Sequence, residues 1–114
     1  MEISCAVIEL KPGSKEKVAE WAKFISENKA GALATLQNEG VTIESAFVVT
    51  IEDKDYLIGY MRALDMKKAH EAVKTSTSKV DEYHQSFKKE TWSKNFKAKL
   101  LVDLSRITNE KKFA

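Results

Sequence analysis

The order of the apolar patterns along the chain constrains its fold more than any other sequence feature. A mostly apolar strand comes first, and a long amphipathic helix follows it. Two stretches rich in β-branched and aromatic residues come next, then helical segments and a last apolar stretch. Alternating or continuous short apolar runs predict strands, whereas three-and-four spacing predicts helices. The order strand, helix, strand, strand, helix, strand therefore predicts an α+β domain.

The N-terminal third of the chain is predicted to hold a strand and a long helix. Ile3 to Leu10 is apolar at most positions and ends at a proline-glycine turn, so we expect a strand that is covered on both faces. Three-and-four spacing predicts a helix from Ser14 to Asn38, capped by the Ser14 side chain and stopped at Gly40. Glycine weakens a helix interior, so we expect a bend at Gly31.

The middle of the chain is predicted to form a β-hairpin. Val41 to Ile51 and Tyr56 to Ala63 flank a polar turn and are rich in strand-forming residues. A loop of two or four residues predicts pairs of Phe47 with Tyr60, Val49 with Ile58 and Ser45 with Arg62. Those side chains then share one face and Glu44 lies on the other, whereas a three-residue loop would exchange the faces.

Helical segments follow the hairpin. A short helix is expected around Met66 to Val73, with Asp65 as its cap. Ser78, three residues before Asp81, has the pattern of a capping box and predicts the start of another helix. The inward stripe of that helix is predicted to be Val80, Tyr83, His84 and Phe87.

The C-terminal part is predicted to complete the sheet. Trp92 and Phe96 are expected to extend the packing of the last helix, and Ala98 to Leu104 to form the last strand. The tail over residues 108–114 is polar and expected to fray. The element order is that of a split βαβ, so we predict the ferredoxin-like βαββαβ fold, a four-stranded antiparallel sheet with its helices on one face.

The predicted strands are too apolar for a sheet that is covered on one side only. Ile3 to Leu10, Val41 to Ile51 and Ala98 to Leu104 are apolar on nearly both faces. An antiparallel sheet with one face in water normally alternates apolar and polar residues. We therefore predict a homodimer in which a second copy covers the open face of the sheet.

Composition limits the classes of protein to which the chain can belong. With 114 residues and 43% hydrophobic residues, it is expected to form a single domain over residues 1–114. No segment has the roughly 20 apolar residues of a membrane span, and the N-terminal run lacks the basic flank of a signal peptide. We therefore expect a cytoplasmic protein with no membrane partner, and we interpret its single cysteine, Cys5, as a structural thiol.

Neither nucleic acid nor a metal is predicted as a ligand. The second half of the chain is rich in lysine, but the lysines are spread along helical stretches and the only arginines are Arg62 and Arg106. The chain has no His-Glu-x-x-His motif, paired cysteines, phosphate loop or serine elbow. We expect a solvated helical face, no metal site and no cofactor.

Four segments resemble the dimeric α+β barrel superfamily, in which two ferredoxin-like subunits press their sheets together. They are the turn from Leu10 to Ser14, the long helix ending at Glu39-Gly40, the strand from Tyr56 to Arg62 and the aromatic helix from Asp81 to Trp92. Within that superfamily the chain is similar to a small family of unknown function that has a segment like Asp81 to Gln85. The resemblance implies a homodimer with a small-molecule cavity between each sheet and its own helices.

His84 and Glu44 are the candidate catalytic residues. His84 lies on the inward stripe of the last helix, where an imidazole over the sheet would titrate near neutral pH as a general acid or base. The alternative is a histidine that satisfies one buried hydrogen bond. Glu44 interrupts an apolar strand, where a carboxylate needs a partner or a ligand. The sequence leaves three interpretations of Glu44 open: a base with a raised pKa, an exposed residue at the edge of the sheet, or the partner of a lysine.

Four further residues are candidates for binding a substrate. Tyr60 and Arg62 are two apart on one strand, so their side chains share a face and offer a phenol and a guanidinium to a carboxylate or an enolate. The alternative is packing of Tyr60 on Phe47 beside a solvated arginine. Trp21 and Trp92 are expected to be core aromatic residues, and the superfamily resemblance implies that they also wall the ligand pocket.

Two functions remain compatible with the sequence. The first is a cofactor-free enzyme of the proton-transfer, isomerase or monooxygenase type, acting on a small organic ligand in a homodimer. The second is a non-catalytic ligand-binding or dimerisation module in which His84 only packs. A polar cavity at the His84 ring favours the first, and a filled apolar core favours the second.

Overall fold

The computed structural model describes residues 1–106 as an α+β fold of four strands and four helices. In chain order these are β1 (Glu2–Leu10), α1 (Lys15–Glu27), α2 (Lys29–Glu39), β2 (Val41–Ile51), β3 (Lys54–Ala63), α3 (Met66–Thr75), α4 (Lys79–Thr91) and β4 (Trp92–Lys97). The strands form one sheet in the order β2-β3-β1-β4. Every neighbouring pair is antiparallel, which confirms the predicted four-stranded antiparallel sheet.

The helices pack on one face of the sheet because alternate strand residues carry the apolar core. Ile8 and Leu57 are opposite each other on β1 and β3, and both are buried. Together with Leu10 they contact Val18 of α1 and Phe87 of α4. A second, smaller core joins Val41 and Ala63 of the sheet to Ala69 of α3. We call this side the helix-covered face.

The hairpin between β2 and β3 has a different register from the predicted one, because the predicted pairs fit a four-residue loop and not a two-residue loop. Its loop is only Glu52-Asp53, because Lys54 and Asp55 continue the strand and pair with Ile51 and Thr50. Phe47 therefore pairs with Ile58, Ser45 with Tyr60 and Val49 with Tyr56. The shift is two residues, so the predicted faces are kept: Glu44 lies on the helix-covered face and Tyr60 on the opposite, open face.

The predicted long helix is two helices, and the break lies at Asn28 rather than at Gly31. The Asn28 side chain donates a hydrogen bond to the Phe24 carbonyl at 2.8 Å, and its backbone leaves the helical region at φ −115° and ψ 36°. Asparagine competes in this way for the carbonyls of a helix. Gly31 lies inside α2, and the predicted stop at Gly40 is confirmed by its left-handed φ of 72°.

The predicted helix caps have mixed outcomes. The Ser78 hydroxyl accepts a hydrogen bond from the Asp81 N–H at 3.1 Å, and Asp65 caps α3 in the same way through the Lys68 N–H. These two predictions are confirmed. Ser14 precedes α1, but its hydroxyl donates to the Lys11 carbonyl at 2.6 Å and makes no side-chain cap.

The last strand is β4, which begins six residues before the predicted strand. The Lys11 N–H donates to the Thr91 carbonyl at 2.7 Å, so the chain already lies beside the end of β1 where α4 ends. Pairing with β1 therefore starts at Trp92. Residues 98–104 form no strand, and we call them the C-terminal arm. The tail that was predicted to fray, residues 108–114, lies outside the described part of the chain.

The open face of the sheet exposes large apolar side chains. Ile43, Phe47 and Ile51 of β2 and Phe96 of β4 are 42 to 58% exposed. The C-terminal arm continues this surface, with Leu101 and Leu104 87% and 88% exposed. A row of exposed apolar side chains of this kind is typical of an interaction surface.

Candidate functional site

His84 lies in a cluster of aromatic rings on the helix-covered face. Its ring centre is 5.7 Å from that of Trp21, and 6.2 Å from those of Phe87 and Trp92. Trp21 and Phe87 stack in parallel at 4.9 Å. We call Trp21, His84, Phe87 and Trp92 the aromatic cluster. The structure thus brings together three of the predicted site residues, from α1, α4 and the start of β4.

The imidazole of His84 is held in its neutral form. Burial lowers its pKa from 6.5 to about 4, the positive charge of Lys88 adds to this effect and Asp81 opposes it. The ring therefore does not titrate near neutral pH as we expected from the sequence, because the surrounding rings leave its cation poorly hydrated. A neutral imidazole carries one N–H donor and one acceptor nitrogen.

Both tryptophans of the cluster have an indole nitrogen without a partner. Trp21 Nε1 and Trp92 Nε1 are buried and make no hydrogen bond within residues 1–106. A buried donor that lacks an acceptor costs about 1–3 kcal/mol. Each such group calls for an explanation, such as a water molecule or a ligand.

A group of three carboxylates lies next to the aromatic cluster on the same face. Glu39 ends α2, Asp81 is in the first turn of α4, and Glu44 is on β2 beside Met61. Glu39 and Asp81 are 9% and 8% exposed. Glu44 is exposed on the edge strand β2, as one of its three predicted alternatives requires. Among the described residues, neither the Glu39 nor the Asp81 carboxylate has a hydrogen bond or an ion pair. We call these three residues the carboxylate group.

Two members of the carboxylate group, Glu39 and Glu44, bind protons more tightly than usual. Burial, Asp81 and then Glu44 raise the pKa of Glu39 from 4.5 to about 7. Loss of part of the water around its carboxylate, and then the charge of Asp81, raise the pKa of Glu44, which is the direction expected for a base of raised pKa. Asp81 also acts electrostatically on His84 and so links the carboxylate group to the aromatic cluster.

Tyr60 and Arg62 lie on the open face, away from His84 and Glu44. The Arg62 Nε donates a hydrogen bond to the Tyr60 hydroxyl, and its Nη2 is 2.7 Å from Asp103 Oδ1 of the C-terminal arm. Hydrogen bonds to Asp103 and then Tyr60 raise the pKa of Arg62. The sheet separates this pair from the aromatic cluster, so the structure does not gather all six predicted residues at one site.

Three residues of this region were missed by the sequence analysis. Glu39 stands beside Gly40 and has the pattern of an ordinary polar helix end, and Asp81 was interpreted only as part of a cap. Lys88 was taken as one lysine of a solvated face, yet it is half-buried and its Nζ lies 4.5 Å from the centre of the Trp92 ring. Its spacing of four from His84 on a helix was the one available signal.

Two shallow cavities lie on the surface of the described part of the chain, and neither is lined by His84. The first has a volume of about 340 Å³ and lies between the end of α2 and the start of β2, next to Leu33, Val41 and Leu64. The second, of about 110 Å³, lies beside Tyr83 and Phe87. Within residues 1–106, no three His, Cys, Asp or Glu side chains are arranged to hold a metal ion. In the same range no helix is long and apolar enough to span a membrane.

Comparison with known proteins places the chain in a family. One family model, described as a family of unknown function, matches residues 1–109. No curated protein matches the chain, and no solved structure does.

Proposed function

This chain belongs to DUF6176, a family of unknown function, and we propose that it is a homodimer of the dimeric α+β barrel type that binds a small organic molecule and transfers a proton on it. The ligand lies between the sheet and its helices, at the aromatic cluster. No cofactor is needed for this chemistry, because carboxylates and an imidazole supply the groups that move protons. The free thiol of Cys5 fits a reducing compartment, so we place the protein in the cytoplasm.

The strand order supports the ferredoxin-like part of the proposal. In β2-β3-β1-β4 the two central strands are the first and third of the chain, and α1 with α2 and α3 with α4 form the two connections. This matches the βαββαβ element order once each helix pair is counted as one crossover. The helices cover one face, which leaves the other face free for a second subunit.

The C-terminal arm supports a dimer through the open face. Two contacts anchor the arm to the sheet. At its start the Ala98 N–H donates a hydrogen bond to the Cys5 carbonyl of β1, and further along Asp103 accepts a hydrogen bond from Arg62 of β3. Between these two anchors Leu100, Leu101 and Val102 stay 55 to 87% exposed. A monomer gains nothing by holding leucines in water, whereas a two-fold partner would bury this arm against the apolar sheet. We therefore assign Tyr60 and Arg62 to the subunit contact.

The two unpaired indole N–H groups carry the small-molecule part of the proposal. They belong to the two rings that flank His84, and both are fully buried. An acceptor atom of a ligand would satisfy them and recover the cost of burying them without a partner. Aromatic walls with a few polar groups are typical of sites for small organic molecules.

The carboxylate group and His84 supply the proton transfer. A Glu39 carboxyl with a pKa of about 7 is present in both protonation states near neutral pH, which suits a group that gives and takes protons. We propose Glu44 as the residue that exchanges the proton with the ligand and Glu39 as the group that shares it. The neutral ring of His84 donates its N–H to the ligand and positions it.

A thermal-shift screen of small organic acids, carbonyl compounds and sugars tests this proposal. A ligand that binds only the native state raises its stability, by about 2.7 kcal/mol at a concentration of 100 Kd. We expect at least one class of compound to raise the Tm of the wild type and to lose that effect in His84→Ala. His70→Ala is the matched control, because His70 is exposed on α3. A hit that stabilises His84→Ala as strongly as the wild type would contradict the site.

One observation favours a second candidate, the non-catalytic ligand-binding or dimerisation module. His84 contacts aromatic rings, and neither of the two surface cavities reaches it. A closed cluster of this kind is also what a structural histidine would have. Incubation with the ligand in D₂O distinguishes the two candidates. An enzyme would exchange a carbon-bound proton of its ligand for deuterium, whereas a binding module would bind the same ligand without exchange.

A further inference from the structure

Lys88 is placed to act on whatever occupies the aromatic cluster. It follows His84 by four residues on α4, so the two side chains lie on the same face of the helix. Its Nζ is 4.5 Å from the centre of the Trp92 ring, and its charge acts on the His84 imidazole. Burial lowers the pKa of Lys88, as expected for an ammonium that has lost part of its water.

Lys88 has no acidic partner in the described part of the chain. The nearest acidic residue along α4, Glu90, pairs instead with Lys17 at 3.1 Å. Asp81 acts electrostatically on His84, Glu39 and Glu44, but it is not a cause of the pKa shift of Lys88. The contact with the Trp92 ring offsets only part of the lost hydration.

Hydrogen-bond donors outnumber acceptors around His84. The donors are the indole N–H groups of Trp21 and Trp92, the ring N–H of His84 and the ammonium of Lys88. The acceptor that these side chains provide is one ring nitrogen of His84, which satisfies one donor at most. Asp81 is the carboxylate that acts on His84, but among the described residues it makes no ion pair with Lys88. The surplus donors around this ammonium are therefore complementary to an anion that carries several acceptor lone pairs.

We propose that the aromatic cluster and Lys88 form a binding site for the carboxylate of a small organic acid with an apolar remainder. One carboxylate oxygen accepts from the two indoles and the other receives the ammonium of Lys88, while the Trp21 and Phe87 rings contact the apolar part. This assignment rests on the proposed function and names its ligand class. The sequence makes Arg62 a candidate for binding a carboxylate, but Arg62 pairs with Asp103, and we now assign that role to Lys88.

The apolar walls favour a carboxylate over a phosphate. A phosphate brings about two negative charges, whereas this site holds one ammonium beside three aromatic rings. A single carboxylate matches that single charge. Inorganic phosphate is therefore the test compound that separates the two anions.

Three acid and amide pairs test the site: acetate with acetamide, benzoate with benzamide, and 3-phenylpropanoate with 3-phenylpropanamide. Binding is followed by tryptophan fluorescence, because Trp21 and Trp92 are the only tryptophans, and by thermal shift. We expect at least one acid to bind tenfold or more tightly than its amide and than phosphate. Lys88→Gln should remove this preference, and Lys88→Arg should keep it. Lys89→Gln is the matched control, because Lys89 is the neighbouring lysine and is exposed.

The outcomes separate this assignment from the proposed function. If an amide binds as tightly as its acid, or if Lys88→Gln keeps the tenfold preference, the carboxylate assignment is overturned while small-molecule binding stands. If phosphate competes as well as the acids, the anion is not specifically a carboxylate and the assignment also fails. If no compound of either kind changes the fluorescence or the Tm of the folded wild type, the carboxylate assignment fails, and the screen of carbonyl compounds and sugars then decides the proposed function by itself.

Discussion

Leu101→Asp is expected to turn a dimer into a monomer. Leu101 is 87% exposed in the single chain, so its replacement removes no contact within the subunit. Burial of a leucine side chain contributes about 1.5–3 kcal/mol, and a two-fold interface loses that contribution twice. A total loss of about 3 kcal/mol or more corresponds to at least a hundredfold weaker association.

Sedimentation equilibrium measures this effect directly. The wild type should have twice the 12.9 kDa mass of the chain at micromolar concentration, and Leu101→Asp should have the monomer mass with an unchanged circular dichroism spectrum. Leu33→Asp makes the same change at a leucine of α2 that is 54% exposed and remote from the open face. A wild-type monomer at high micromolar concentration, or dissociation by Leu33→Asp as well, would show that the open face is not the interface.

The free energy of unfolding is expected to respond to pH through two opposing groups. The pKa of Glu39 is raised from 4.5 to about 7, so its contribution to stability is complete below pH 4.5 and is lost as the pH rises to 7. The pKa of His84 is lowered from 6.5 to about 4, so its contribution is complete above pH 6.5 and is lost as the pH falls to 4. Between pH 4.5 and 6.5 the two effects oppose each other.

Removing one group should reveal the other. A shift of this size corresponds to at most about 3–4 kcal/mol, and since both groups keep some hydration we expect about 1–2 kcal/mol for each. Glu39→Gln should therefore gain stability relative to the wild type as the pH rises from 4.5 to 7. Through His84 the wild type gains stability as the pH rises from 4 to 6.5, and His84→Phe should lack this gain, so the variant becomes less stable relative to the wild type as the pH rises.

Urea unfolding at half-unit intervals from pH 4 to 7.5 checks both variants. Glu71→Gln changes an exposed glutamate of α3 and should follow the wild-type profile. Parallel profiles for Glu39→Gln and the wild type would contradict the coupling of Glu39 to the carboxylate group. A His84→Phe profile that keeps the wild-type slope would likewise show that the imidazole is not buried in its neutral form.

Local sequence signals predicted most of the elements of the fold. Strand-forming residues around a polar turn predicted the β2–β3 hairpin, and the Ser78 and Asp65 caps are present as hydrogen bonds. The faces of the hairpin were also predicted, because a shift of two residues keeps side-chain alternation. The break at Asn28 was not predicted, because the apolar periodicity continues through it. The break depends on one hydrogen bond from the Asn28 side chain to the Phe24 carbonyl.

The last strand could not be predicted from its own residues. Ala98 to Leu104 is more apolar than Trp92 to Lys97, so composition favoured the wrong segment. The choice depends on where α4 ends relative to β1, which is fixed by a contact between Lys11 and Thr91. Contacts between residues so far apart along the chain leave no local pattern.

The candidate site was predictable residue by residue but not as an arrangement. Trp21, His84 and Trp92 were each predicted as site residues, and they meet in the aromatic cluster although they lie on three different elements. Glu39 and Asp81 were missed because a charged helix end is normally solvated, and only the tertiary fold buries them. Tyr60 and Arg62 share a face as predicted, but the sheet places that face away from His84.

The central claim is that a small organic molecule binds at His84, and imidazole NMR tests it most directly. The protein has only two histidines, so ¹⁵N-labelled His84 and His70 give two sets of ring signals, and His70 serves as an internal control. Addition of the compound with the largest thermal shift should move the His84 signals in a saturable way and leave those of His70 in place. Saturable binding that leaves the His84 signals unmoved, or moves both histidines equally, would contradict the account.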